Sequence, residues 1–276
     1  MEKLCAKIKA KYPNDIPFGY DDESNCFITI TEQLGSAYTS SMKGKHFLFN
    51  NDTNRKSMQE IREFWQKGYF TTQELYGNYT SDLFTETDPN RQKIYMCIGS
   101  SAGAMYQCPS MNGDGSYPFE VGVAMIPQVK PSSPKVIQQG PSVCLFKKYN
   151  PQETAAAWLF AKFLTTCVEF QASMSMQGGY APVLKSVQEH PVYAEFLASA
   201  DGNKYLQALT IKQALTQADA YFVSPAFVGS AAARDEVGKL FINCLLKDPS
   251  SNQTVAEFIK EQFDKSIAEL EYDYGK

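Results

Sequence analysis

Histidine is scarce in this chain: His46 and His190 are its two examples among 276 residues. Zinc sites are hard to assemble from so few imidazoles. The seven cysteines do not help, because no two of them form C-x-x-C and their number is odd. That pattern also argues against a small secreted fold built on disulfides. Cys97, Cys144 and Cys244 sit in apolar runs, where a free cysteine is expected to behave as a small buried hydrophobe.

No apolar run approaches the ~18 residues of a membrane helix. Residues 1–12 are amphipathic, with Leu4, Cys5 and Ile8 able to share one face, and no apolar core or cleavage site of a signal peptide follows them. Basic residues do not dominate either. The 26 Lys and Arg are mixed among 30 Asp and Glu, for a net charge of −4, and give no basic face for nucleic acid. Neither a phosphate loop of the G-x-x-x-x-G-K-[ST] type nor a G-x-G-x-x-G after a strand is present.

What is there suits a globular chain with a core: 43% hydrophobic residues, 18 Phe and 16 Tyr. Helices are expected over 2–12, 27–41, 54–67, 151–166, 167–177, 186–199, 204–217, 230–247 and 254–270. Asp21, Asp22 or Ser24 can cap the second, and Thr254 with Glu257 forms a capping box at the last. The strongest helix, "PQETAAAWLFAKFLTT", gathers Ala156, Leu159, Phe160, Phe163 and Leu164 on one face, the face expected to be buried. Strands are expected over 16–20, 45–52, 93–101, 121–129 and 142–148. Single strands alternating with helices make an α/β fold.

One stretch invites a catalytic reading. "IYMCIGSSAGAMYQ" at 94–107 runs from a strand through Gly99-Ser100-Ser101-Ala102-Gly103 into a helix, and fits the G-x-S-x-G elbow of serine hydrolases. Ser101 would be the nucleophile and His190 the base. The surroundings argue against it. Residues 1–93 hold few strands and no His-Gly oxyanion motif, and His190 precedes a proline with 86 residues after it. Acidic pairs such as Asp21-Asp22 and Asp235-Glu236 are expected to be caps and solvated faces, not acid/base dyads.

Six segments stand in a telling order: "FNNDTNRKSMQEIREFWQKGYF", "RQKIYMCIGSSAGAMYQ", "YPFEVGVAMIPQ", "IQQGPSVCLFKKYNPQETAAAWLFAKFLTT", "MQGGYAPVLKSV" and "QTVAEFIKEQFDKSI". Together they resemble the extracellular solute-binding proteins of ABC importers, in the carbohydrate-binding group that includes glycerol-3-phosphate and maltose binders. The resemblance covers residues 1–271. It implies a periplasmic-binding-protein type II-like fold, mainly the C-terminal lobe with a remnant of the N-terminal lobe, since the family's first hundred or so residues have no match here.

Residues 1–140 would form the first part of the C-terminal lobe, 141–182 would return to the N-terminal lobe, and 183–276 would complete the C-terminal lobe. The resemblance further implies a sugar or polyol ligand, an ABC permease as membrane partner, no cofactor, no metal and no catalysis. In full length such a protein is extracellular or a membrane-anchored lipoprotein, with a signal segment that this chain does not show. The expected ligand contacts are Ser24 and Asn25 in the loop after the first strand, Ser100 and Ser101, Gly140, Tyr180, and Phe227, Gly229 and Ser230. Ser100 and Ser101 would offer hydroxyls and helix N-terminal N–H groups, an arrangement that also suits an anion. In the glycerol-3-phosphate binder an arginine near this last helix start meets the phosphate; here the nearest is Arg234, several residues further along.

Overall fold

A computed structural model describes residues 1–275. The elements follow in chain order: α1 (Glu2–Lys11), β1 (Ile16–Tyr20), α2 (Glu23–Leu34), α3 (Asp52–Gln66), β2 (Phe70–Thr72), α4 (Gln73–Tyr76), α5 (Ser81–Phe84) and β3 (Ile94–Ile98) come first. A 3₁₀ helix over Ser101–Gln107, β4 (Val136–Ile137), α6 (Pro151–Thr166), α7 (Val168–Gly178), α8 (Pro191–Ala198) and α9 (Leu206–Thr216) follow. Then β5 (Tyr221–Phe222), α10 (Ser230–Leu246) and α11 (Val255–Tyr274) complete the chain.

The chain divides into two compact units. Unit 1 comprises residues 1–99, 126–138 and 220–276, and unit 2 comprises 100–125 and 139–219.

Unit 1 is built on a parallel sheet of order β2-β1-β3. Phe18 pairs with Phe70 on one side of β1 and with Met96 on the other. Parallel strands need helical crossovers, and the α/β alternation of the first hundred residues supplies them. A second parallel pair joins Val136 to Tyr221 and Ile137 to Phe222. The core packs Phe27, Ile28, Phe49, Met58 and Phe70 against Leu240, Phe241, Ile259 and Phe263.

Local signals decide the helix ends. Asp22 caps α2 by accepting from the Asn25 N–H, and Gly35 closes it in the left-handed region. Asn51 caps α3 through the Asn54 N–H, and the Thr254–Glu257 capping box forms at α11.

In unit 2 a smaller core of Ala172, Val187, Tyr193 and Ile211 joins α7, α8 and α9. The Tyr193 and Ser175 hydroxyls hydrogen-bond at 2.8 Å inside it, and burial pushes the Tyr193 phenol up.

Three expected strands do not form. Over 45–52 there is one isolated bridge, Thr39 to Phe47. Over 121–129 side-chain amides take the place of a strand neighbour. The Asn203 Oδ1 accepts from the Val121 N–H at 2.7 Å, and its Nδ2 donates to the Phe119 carbonyl at 2.7 Å. Gln33 does the same further on, accepting from the Val129 N–H at 3.1 Å and donating to the Pro127 and Lys135 carbonyls. The segment passes from one unit to the other at 125/126. Met125 and Val129 are exposed instead of buried.

Residues 142–148 are likewise outside any strand and exposed throughout. α6 forms with the expected bounds, but its buried line is Ala161 flanked by the half-buried Thr154, Ala157 and Leu164. Leu159, Phe160 and Phe163, expected inside, are exposed.

The cysteines divide accordingly. Cys5, Cys26 and Cys244 are buried, Cys97, Cys108 and Cys167 half-buried, and Cys144 exposed, contrary to its apolar sequence setting. Burial pushes the Cys26 thiol far up and that of Cys244 to about 12. An aromatic disulfide reagent at neutral pH is therefore expected to label Cys144 first, with Cys5, Cys26 and Cys244 reacting only in denaturant. Rapid labelling of Cys26 or Cys244 in the folded chain would contradict this burial.

Candidate functional site

In parallel α/β sheets ligands gather at the carboxyl ends of the strands. Here that edge of β1 delivers three successive acids, each with a separate task. Asp21 accepts from the backbone N–H and the hydroxyl of Thr80 at 2.9 and 2.8 Å, which anchors the start of α5. Glu23, buried, accepts from the Glu74 N–H at 2.8 Å at the start of α4. These are the capping roles expected of acidic pairs, since carboxylates complement the unpaired N–H groups of helix starts.

Asp22 does more than cap α2. Its φ is 73°, and among the described residues it is the one non-glycine with positive φ. Strain of this kind, held by surrounding bonds, is a feature of ligand sites. The bonds are plain: the Ser24 hydroxyl donates to Oδ1 at 2.5 Å, and the Asn25 side-chain amide donates to Oδ2 at 2.9 Å. Arg234 Nη2 stands 3.4 Å from Oδ2 and also donates to the Asn25 Oδ1. The cluster therefore offers a guanidinium, a carboxylate and an amide in one place, with Arg234 and Asp22 each partly open to solvent. Beneath it Tyr20 and Cys26 are buried, which pushes both groups up and keeps them neutral.

Of the residues expected here, Asn25 joins this cluster, while Ser24 is buried with its hydroxyl committed to Asp22. Arg234 is the member that the sequence argument set aside. Its signal was legible: four residues after Ser230, it lies one turn into α10 on the same face.

Phe227, Gly229 and Ser230 also belong to unit 1. The Phe227 ring stacks on His46, with centroids 4.6 Å apart and planes 7° apart. Beside His46 lies a cavity of about 380 Å³ lined by Gly44, Lys45, His46, Phe47, Glu271 and Gly275. Gly229, with φ 98°, is the N-cap of α10, and a Cβ there would stand 2.8 Å from the Tyr274 ring, so packing alone calls for glycine. The Ser230 N–H donates to the Phe227 carbonyl at 3.0 Å.

Ser100, Ser101, Gly140 and Tyr180 belong to unit 2. Ser100 is the N-cap of the 101–107 segment, accepting from the Ala102 N–H at 3.3 Å. That segment is a seven-residue 3₁₀ helix.

The Ser101 carbonyl faces the Gly178-Gly179 turn. A Cβ on Gly179 would meet it at 2.6 Å and the Ala102 Cα at 2.9 Å. The two motifs singled out in the sequence thus touch one another through their backbones. Tyr180 follows, partly exposed, with its ring against Gly178. Gly140 stands in open space.

The hydrolase elbow is not formed. Ser101 lacks the strained backbone such a turn requires. Among the described residues no histidine hydrogen-bonds it, and the His190 Nδ1 is buried without a partner. No group of three or more metal-ligating side chains is found among the described residues, and no helix is long and apolar enough to cross a membrane.

A family model described as bacterial extracellular solute-binding protein matches residues 1–201. Among solved structures, UgpB from Mycobacterium tuberculosis in complex with glycerophosphocholine is similar at 16% identity and a TM-score of 0.65. The match covers 98% of this chain and 64% of that one. Maltose-bound MalE3 from T. maritima is similar at 13% identity and a TM-score of 0.60, with the same coverage of 98% and 64%. At these identities the likeness is one of fold, and the chain spans 64% of the length of each neighbour. No curated protein matches the chain.

Proposed function

Because the chain belongs to the bacterial extracellular solute-binding protein family, we propose that it serves as the ligand-binding component of an ABC importer. Its solute is a carbohydrate or a related small polar molecule, and it carries out no chemistry of its own. In its full-length form it works outside the cytoplasmic membrane as an anchored lipoprotein and hands solute to a permease. The fold neighbours that hold glycerophosphocholine and maltose support this ligand class.

The observation that carries the proposal is the Asp22–Asn25–Arg234 cluster at the carboxyl edge of β1. Polyol hydroxyls need paired donors and acceptors held in place before the ligand arrives. Asn25 and Arg234 supply donors and Asp22 an acceptor, and their mutual bonds fix the side chains in advance. Ser100, Ser101, Gly140, Tyr180, Phe227, Gly229 and Ser230 remain proposed contacts, with Gly229 also required by Tyr274.

For the lobes, the family's chain path assigns 1–140 and 183–276 to one and 141–182 to the other. The compact units offer a second division, in which 100–125 and 139–219 form one unit.

Isothermal titration of the chain against sugars, polyols and glycerophosphodiesters tests the proposal. At least one of these classes is expected to bind. Asn25→Ala is expected to weaken that binding about tenfold or more, the cost of losing a hydrogen bond in a charged site, with an unchanged circular dichroism spectrum. A panel with no binder at millimolar ligand would overturn the proposal.

A further inference from the structure

The partners of the Asp22 carboxylate bear on the charge of the solute. Its Oδ1 accepts from the Ser24 hydroxyl at 2.5 Å and from the Asn25 backbone N–H at 2.9 Å. Its Oδ2 accepts from the Asn25 side-chain amide at 2.9 Å, and Arg234 Nη2 approaches the same oxygen at 3.4 Å. A carboxylate offers about four acceptor positions. The one that Arg234 meets is the loosest. Arg234 also donates to the Asn25 Oδ1, so that amide turns its oxygen to the guanidinium and its nitrogen to the carboxylate.

A ligand atom entering between Oδ2 and Nη2 must accept from the guanidinium and donate to the carboxylate. A hydroxyl does both, whereas a phosphate or carboxylate oxygen only accepts. Such an anionic oxygen would face Oδ2 with like charge. The surroundings oppose it too. Asp21 and Glu23 flank Asp22, with their carboxylates on the starts of α5 and α4, so three carboxylates share this edge with the Arg234 guanidinium. The start of α2, where an anion is otherwise favoured, already holds the Asp22 carboxylate. At the buried Tyr20, Cys26 and Tyr38 the charges of Asp22, Glu23 and Asp235 likewise act against that of Arg234.

We propose, resting on the solute-binding role above, that this site selects uncharged solutes and rejects anions: a ligand hydroxyl bridges the Asp22 carboxylate and the Arg234 guanidinium. Arg234 is then a counter-ion to Asp22 and a donor to the hydroxyl, not a receptor for phosphate. Discrimination comes from the repulsive carboxylate as much as from the attractive donors.

Asp22→Asn is expected to reverse the preference. Asparagine keeps the N-cap and tolerates positive φ, so an unchanged circular dichroism spectrum is expected. Its amide oxygen must take the Ser24 and Asn25 donors, which leaves its NH₂ beside the Asn25 amide and Arg234. Three donors then converge, a setting for an anion.

Isothermal titration with inorganic phosphate, and with the pairs glycerol and glycerol 3-phosphate, glucose and glucose 6-phosphate, reads the effect. The unsubstituted chain is expected to give no phosphate binding at millimolar concentration and to bind neither phosphorylated compound more tightly than its neutral counterpart. Asp22→Asn is expected to bind phosphate about tenfold or more tightly than the unsubstituted chain, and adding Arg234→Gln is expected to remove the gain. Phosphate binding by the unsubstituted chain that Arg234→Gln abolishes would overturn the proposal, as would a folded Asp22→Asn chain with no gain. If Asp22→Asn does not fold, the comparison of the unsubstituted chain with Arg234→Gln decides alone. These outcomes leave the solute-binding role standing; that role fails separately, and this proposal with it, if no sugar, polyol or glycerophosphodiester binds.

Discussion

Replacing Gly179 by alanine is expected to destabilise unit 2 by roughly 2–4 kcal/mol, through two separable costs. The residue sits at φ 73° at the end of α7, and an L side chain in that region costs about 1 kcal/mol or slightly more. Its Cβ would also stand 2.6 Å from the Ser101 carbonyl oxygen and 2.9 Å from the Ala102 Cα. Both neighbours are backbone, so relief requires moving the 101–107 helix, and overpacking of that kind costs about 1–3 kcal/mol. Gly115→Ala isolates the first cost. It shares the positive φ, at 83°, and has nothing within 4 Å, so about 1 kcal/mol is expected there. Urea unfolding followed by amide exchange at 101–107 distinguishes the two. If Gly179→Ala costs no more than Gly115→Ala, the close approach of the two turns is wrong. Asparagine, which tolerates the left-handed region, is expected to rescue little, since the clash remains.

Arg62→Leu is expected to cost about 3 kcal/mol or more in unit 1. The residue is 2% exposed. Its Nη1 donates to the carbonyls of Cys244, Leu245 and Lys247 at 2.6, 3.0 and 2.8 Å, which are the orphan acceptors at the end of α10. The guanidinium also lies over the Phe258 ring at 5.7 Å. Leucine fills much of the space but leaves those carbonyls buried without donors. Arg62→Lys keeps the charge and loses the planar fork, so partial recovery is expected. The ion pair to Asp248 is a minor part: that carboxylate is 88% exposed, and Asp248→Ala is expected to cost less than about 1 kcal/mol. Chemical denaturation of the three variants checks the order Leu worse than Lys, and Lys worse than Asp248→Ala. A loss that Asp248→Ala reproduces would mean that the ion pair, not the helix cap, holds this corner.

Much of the secondary structure is local and therefore readable. β1 appears at 16–20 as expected, β3 occupies 94–98, and α6 begins and ends at Pro151 and Thr166. The caps by Asp22 and Asn51 and the Thr254–Glu257 box depend on residues three or four apart, a range over which sequence speaks directly. The α/β fold and the solute-binding family were legible for the same reason. Alternation of elements and an ordered run of segments survive in the chain even when no single motif is specific.

The strands over 45–52, 121–129 and 142–148 failed on a different ground. A strand exists only beside a partner, and apolar composition cannot reveal whether one is there. Asn203 and Gln33, distant in sequence, answer the backbone of 119–121 and 127–135. The site shows the same limit. Asn25 was named from its loop, but its union with Asp22 and Arg234 spans more than two hundred residues.

The bounds of α6, the capping box at α11 and the family the chain joins were settled by the sequence, because those signals act within a turn or two or through the order of segments, whereas α2, expected over 27–41 with its cap left open, spans Glu23–Leu34 under Asp22. Which face of α6 is covered, which segments find strand partners, why Gly179 must be glycine and where Arg234 points were settled by tertiary structure. Each of these depends on what the rest of the chain sets against the residue, and neither composition nor periodicity carries that information.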